Sequence, residues 1–337
     1  MMHPMLVVLL SLAVTTPPAC GLFQLPKSPM SQTTHGVNLV QSQNARLGSA
    51  AARASLERVR DLGANTVAIA PFLYQEKPTD PRVIVGDAVS DAELVAGIRA
   101  ARALGLRVWL KPHIWIPGHW AGEVRMDNAR AWQQWFATYS PLVLHYAALA
   151  QREGVERFSV GVELEQSIDR PEWTALITAV RKVYRGRITY VAHGLEEAER
   201  ITFWGALDDI SLSYYPALGP TATRGALEAQ VQAHLRGLRR YAQRQRRPVL
   251  IAELGLRSAA GAQERPWESA EERHAAPDEL VQANVLDLWL TALNQPWVSG
   301  VLVWRWLSDP QGGGGTDTDF TPQHKLAEGV LLAHWRR

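Results

Sequence analysis

The chain has 337 residues, 47% of them apolar and 20% charged, an ordinary globular make-up with enough length to bury a sizeable core. A formal net charge of +2, with no basic stripe interleaved with aromatics, leaves nucleic acid no electrostatic footing. The single cysteine, Cys20, excludes an internal disulfide.

In chain order the first element is an apolar run over 5–14, of signal-peptide length and too short to span a bilayer. It ends at Thr15-Thr16-Pro17-Pro18-Ala19-Cys20. The expected organisation is a signal peptide over 1–20, a short tether over 21–31 and one catalytic domain over 32–337. Export to the periplasm or the cell exterior follows. A lone Cys after a small residue at the end of such a run resembles a bacterial lipoprotein site, although Pro17 stands where an aliphatic residue is usual. Membrane anchoring through a lipidated Cys20 and plain secretion, with Cys20 removed or inert, both stay open.

From His35 onward short apolar runs alternate with amphipathic stretches. Strands are expected at 36–39, 66–70, 107–112, 158–163, 188–193, 210–215, 249–253 and 300–306. Helices are expected at 50–62, 91–104, 128–153, 171–184, 225–245, 277–293 and 324–335. Gly63 and Gly105 close the first two helices, and Pro171 opens the fourth. Eight strands alternating with helices, at roughly thirty residues per unit, describe a single (β/α)8 barrel of the α/β class. A doubly wound open sheet competes, but no Gly-rich phosphate turn follows the first strand.

Barrel chemistry sits at strand C-termini. Two strands end on a carboxylate: Val249-Leu250-Ile251-Ala252-Glu253 and Phe158-Ser159-Val160-Gly161-Val162-Glu163. A glutamate at the tip of a strand buried on both faces does little for stability, so the two read as an acid/base and nucleophile pair. Three strands apart, they would face each other across the mouth. Glu165, two residues on, competes with Glu163 but more naturally starts the loop. Other tips supply Asn38, Gln75, Lys111, His113, Trp120, His193, Tyr214, Tyr215, Trp304 and Trp306. This is a poor metal set and calls for no cofactor. It suits a sugar, since flat indole faces stack on sugar rings and the chain holds thirteen tryptophans. Trp304 and Trp306, of one parity, are expected to point the same way, one of them forming a stacking floor. His193 reads as a satisfied polar residue. A simple buried salt bridge between Lys111 and Glu253 is the structural alternative.

The ordered motifs resemble glycoside hydrolase family 113, a clan A group that includes β-1,4-mannanases. The resemblance runs from His35 to the C-terminus. It is carried by Ala70-Pro71-Phe72-Leu73-Tyr74-Gln75, Leu110-Lys111-Pro112-His113, Trp120-Ala121-Gly122-Glu123 and Val160-Gly161-Val162-Glu163-Leu164. Ser213-Tyr214-Tyr215-Pro216, Ala252-Glu253, Trp304-Arg305-Trp306 and Asp317-Thr318-Asp319-Phe320-Thr321-Pro322-Gln323 with Lys325 complete it. It implies a retaining mechanism with Glu163 as acid/base and Glu253 as nucleophile. It also implies that Tyr214 or Tyr215 hydrogen-bonds the nucleophile, and that Lys111 and His113 line the −1 subsite. Asn38, Trp120, Trp304 and Trp306 join the expected sugar contacts. In the wider clan an Asn precedes the acid/base and contacts the sugar 2-hydroxyl. Val162 stands there instead, so that contact must come from elsewhere, Lys111 being one candidate. The Gly312–Gly315 run reads as a flexible loop after the eighth strand.

The expected activity is cleavage of a β-linked polysaccharide or oligosaccharide, of β-1,4-mannan type, with Glu163 raised in pKa by the field of Glu253. Two other classes compete. One is a non-catalytic glycan-binding barrel lipoprotein. The other is a metal-dependent barrel hydrolase using Lys111, His113 and His193. The sequence gives no hold on oligomeric state.

Overall fold

The computed structural model describes residues 33–336 apart from residue 222. The expected signal peptide, tether and Cys20 lipid site lie outside the described residues.

Eight strands form the barrel: β1 (Thr34–Val40), β2 (Thr66–Ile69), β3 (Arg107–Leu110), β4 (Arg157–Val162), β5 (Arg187–His193), β6 (Ile210–Ser213), β7 (Val249–Leu254) and β8 (Val298–Leu307). They pair in parallel in the order β1-β8-β7-β6-β5-β4-β3-β2 and close on themselves. The surrounding helices are α1 (Ala50–Asp61), α2 (Asp91–Ala103), α3 (Ala129–Arg152), α4 (Glu172–Val183), α5 (Gly194–Arg200), α6 (Arg224–Gln245), α7 (Glu279–Ala292) and α8 (Leu326–Trp335). This is the expected (β/α)8 architecture. The one helix not anticipated is α5, a seven-residue element too short to show a period. Four of the eight helix starts are fixed by a side-chain cap. Ser49, Asn128 and Asp278 each accept a backbone N–H of the first turn, and Ser90 with Glu93 forms a capping box.

Most buried apolar residues lie in one large cluster, while Ala68, Trp109, Val162, Val191, Leu250, Ala252 and Leu302 form a second, separate one, one or two from each of six barrel strands. This second cluster fills the lumen. Trp109 is its bulkiest member, and its indole N–H donates to Ser159 Oγ at 2.9 Å. Below it Arg157 bonds Asp209 at 2.9 Å, and Arg187 bonds the same carboxylate at 2.7 Å. Burial pushes the Asp209 carboxyl up, but the two guanidiniums outweigh it and hold it below its usual range. Above Trp109 the period of two sends the next inward position of that segment, Lys111, to the top of the lumen. Its ammonium lies 5.7 Å from the Trp109 ring centroid.

Three strands carry one extra residue near their C-terminal ends. Ser159 to Val162 on β4 opposes Thr189 to Val191, Ile251 to Glu253 on β7 opposes Leu212 to Ser213, and Val303 to Trp306 on β8 opposes Val37 to Leu39. Such bulges re-aim the side chains that follow. On β7, Ile251 packs outward with the helices, and strict alternation would send Glu253 after it. The bulge instead leaves Glu253 at the mouth.

Candidate active site

Glu253 is 4% exposed, and both its oxygens are held. Lys111 Nζ donates to Oε1 at 2.5 Å, and the Tyr215 hydroxyl donates to Oε2 at 2.9 Å. Lys111 also donates to Asn38 Oδ1 at 2.7 Å, and Asn38 Nδ2 donates to the backbone carbonyls of Ala252 and Val303. Asn38 and Lys111 have no exposed surface at all. They were expected to touch the sugar; the structure places them beneath the carboxylate as its support. The salt bridge named as the structural alternative is therefore real, and it holds the carboxylate open toward the mouth. Substituting Lys111 with Met is expected to cost about 3–5 kcal/mol in chemical denaturation, because the Glu253 charge is left buried and alone. Adding Glu253→Gln to that variant should recover part of the loss.

Glu163 directly follows β4 with φ at +53°, a left-handed conformation uncommon outside glycine. Its N–H still donates to Val191 O at 2.8 Å, so the turn belongs to the barrel rim. Val162, where the wider clan has an Asn, is buried in the lumen cluster. Trp120 Nε1 donates to Glu163 Oε2 at 2.5 Å, while the Trp120 ring packs on His193 at 4.5 Å between centroids. Glu165 faces away and pairs with Arg200 at 3.2 Å.

His193 is not the satisfied residue expected from sequence. Its Nδ1 is buried without a hydrogen bond and lies 3.6 Å from Glu163 Oε1, a charge contact rather than a bond. Burial by itself would push the Glu163 carboxyl up. The imidazoles of His193 and His113 outweigh burial and hold it well below the carboxylate range. In turn burial works to lower His193, and Glu163 more than reverses that, leaving the imidazole above its usual value. The expected raising of Glu163 by Glu253 does not occur: the attraction of the two imidazoles decides the direction instead.

The sign of the pH effect follows. A depressed carboxyl stabilises the fold above its ordinary 4.5 and loses that as pH falls through its folded value. A raised imidazole stabilises below its ordinary 6.5 and loses that as pH rises through its folded value. The wild type should therefore exceed His193→Gln in Tm most between pH 4.5 and 6.5, with the gap narrowing on both sides. A gap independent of pH would remove the charge contact.

Behind this pair lies a carboxyl that sequence reasoning missed. Glu197 on α5 is fully buried, and its carboxyl is pushed up to about 7, chiefly by burial. It accepts the Tyr190 hydroxyl and the His193 backbone N–H, each at 2.5 Å, while that hydroxyl accepts the Leu164 N–H at 2.7 Å. One side chain thus ties the Glu163 turn to the His193 backbone. The signal was present as a glutamate four residues past a strand-tip histidine, on a helix too short to be read.

The remaining expected residues divide. His113 lies near enough for its charge to act on Glu163, and Trp304 sits 5.9 Å from the Lys111 ammonium. Tyr215, rather than Tyr214, reaches Glu253, and its phenol is raised by burial and by the charges of both glutamates. Tyr214 is not brought to the site: it packs against Trp289, and its hydroxyl donates to His234 O at 3.3 Å. Trp306 is not brought there either. It is buried, its indole N–H donating to Ser55 on α1 at 2.8 Å. The β8 bulge reverses the parity that would have aligned it with Trp304. Among the described residues no three His, Cys, Asp or Glu side chains gather as a metal site.

The family model for glycoside hydrolase family 113 matches residues 35–325. The chain belongs to glycoside hydrolase family 113. It is accordingly a glycoside hydrolase, and its substrate is a polysaccharide or oligosaccharide. The family 113 β-mannanase AaManA from Alicyclobacillus acidocaldarius, solved in complex with ManMIm, is 28% identical, with a TM-score of 0.80 over 90% of this chain and 97% of that one. A second family 113 β-1,4-mannanase structure is 25% identical, with a TM-score of 0.80 over 90% of this chain and 99% of that one. A search of the curated proteins found no match.

Proposed function

We propose that this family 113 enzyme cleaves β-1,4-mannan or a closely related β-linked glycan by double displacement. Glu253 attacks the anomeric carbon while Glu163 protonates the departing glycosidic oxygen, forming a covalent glycosyl-enzyme. Glu163 then takes a proton from the water that releases the sugar, with retention at C1. The observation that carries this reading is the unequal support of the two carboxylates. Glu253 is fixed on both oxygens by Lys111 and Tyr215, as a nucleophile must be. Glu163 is paired with a titratable imidazole, as a group that gains and loses a proton must be. Below the raised pKa of His193 the Glu163–His193 pair holds one proton, available to the leaving oxygen through Glu163.

The mannan assignment is supported by the β-mannanase neighbours and by Val162 in place of the 2-hydroxyl-binding Asn. The apolar run over 5–14 supports export to meet an external polymer. The test is digestion of β-mannan, glucomannan, xylan and aryl glycosides by the purified protein, reading reducing ends and the anomer first formed. β-Mannan should be cleaved best, giving the β-anomer. Preference for xylan would overturn the substrate, and the α-anomer would overturn the mechanism.

A further inference from the structure

Beyond the rim of the barrel two of its strands resume. Pro71 and Pro112, which lack an N–H for the ladder, interrupt β2 and β3. The chain then continues as Phe72–Tyr74 and His113–Trp115, paired in parallel, with Ile84–Val85 on the outer edge. Alternation gives this small sheet two unlike faces. Leu73 and Ile114, partners in register, are buried at 0% and 4% exposure. The other face carries Phe72 beside His113 and Tyr74 beside Trp115, each ring pair 5.8 Å between centroids.

His113 opens that face, on the strand whose following turn carries Trp120 into a hydrogen bond with Glu163. Trp115 is the next side chain outward, about 6.5 Å further along the strand. It is 53% exposed, a large flat apolar surface left in water beside a catalytic cleft. The turn that follows is closed by a bridge between Ile116 and His119, and one position outside that bridge stand Trp115 on one arm and Trp120 on the other. Trp120 donates to Glu163. The outer indole is thus continuous with the catalytic carboxylate through a single turn. A polar edge lies at hand, since the Tyr74 hydroxyl donates to Glu76 at 2.5 Å.

We propose that Trp115 and Tyr74 form a second sugar platform, which stacks a pyranose ring of the same glycan chain outside the rings flanking the scissile bond. The step of two residues along the strand is comparable to the length of one pyranose unit, which sets the platform at a distal subsite. The assignment rests on the glycan-cleaving reading above, and it makes the enzyme prefer longer chains.

Trp115→Ala is exposed and should fold as the wild type does. Its KM for a β-1,4-mannohexaose should rise about tenfold at little changed kcat, while the shortest oligosaccharide cleaved keeps its wild-type KM. Trp115→Phe, which keeps a stacking face, should restore much of the difference. Equal effects on both lengths, or none on either, would overturn the platform. Wild-type failure on mannohexaose would count against the mannan reading instead. The platform is then judged by native electrophoresis through gels containing galactomannan, glucomannan or xylan. Retardation of the wild type that is lost in Trp115→Ala supports the platform, and unchanged retardation, or none in the wild type, overturns it. A dimer that Trp115→Ala dissociates, with glycan binding intact, would assign the face to a second copy and overturn it too.

Discussion

Replacing Glu253 with Gln should lower kcat by about 10⁴–10⁶-fold while leaving oligosaccharide binding in place. The amide is nearly isosteric and can still accept from Lys111 or Tyr215, so the geometry at the mouth survives. What disappears is the charged oxygen proposed to bond to C1. Lys111 gives the experiment its internal control. It donates to Asn38 as well as to Glu253, which keeps it anchored in the variant. Single-turnover kinetics with an activated aryl glycoside should show no glycosyl-enzyme burst. Turnover near that of the wild type would remove Glu253 from the nucleophile's role.

Loss of Glu163 should read differently, and the contrast separates the two carboxylates. Glu163→Ala is expected to lower kcat on polysaccharide by about 10²–10⁴-fold, since the leaving alkoxide then departs unprotonated. An activated aryl glycoside, whose leaving group needs no proton, should form the glycosyl-enzyme at close to the normal rate and stall there. Azide is small enough to enter the space vacated beneath Trp120, and should restore turnover by releasing a β-glycosyl azide. Equal loss on both leaving groups, with no response to azide, would exclude an acid/base role for Glu163.

The parts of this site written in short-range pattern were legible in the sequence. Glu253 and Glu163 end apolar runs, and Lys111 follows Trp109 by the two residues that a strand period requires. The barrel itself was legible for the same reason, as eight repeats of one pattern. What escaped depends on events that no period records. A single extra residue in β8 sends Trp306 into contact with Ser55 and leaves Trp304 at the mouth. The end of β6 at Ser213 turns Tyr215 to Glu253 and Tyr214 to Trp289. The state of Glu163 is set by residues distant in the chain. His193 is thirty positions away, and its attraction is among the causes that outweigh burial. Glu197 was hidden for a related reason. A buried acid held by a tyrosine and a backbone N–H looks, in sequence, like one more charge on a short helix.

The left-handed backbone at Glu163 bears on how this enzyme can be engineered. Glycine is at ease at φ +53°, whereas a glutamate there carries strain of about 1–2 kcal/mol. Glu163→Gly would relieve that strain but give up the contact with His193 and the bond from Trp120, so melting temperature alone does not score this position. Thermostabilisation of this chain has to be selected on turnover, or position 163 withheld from the randomised set.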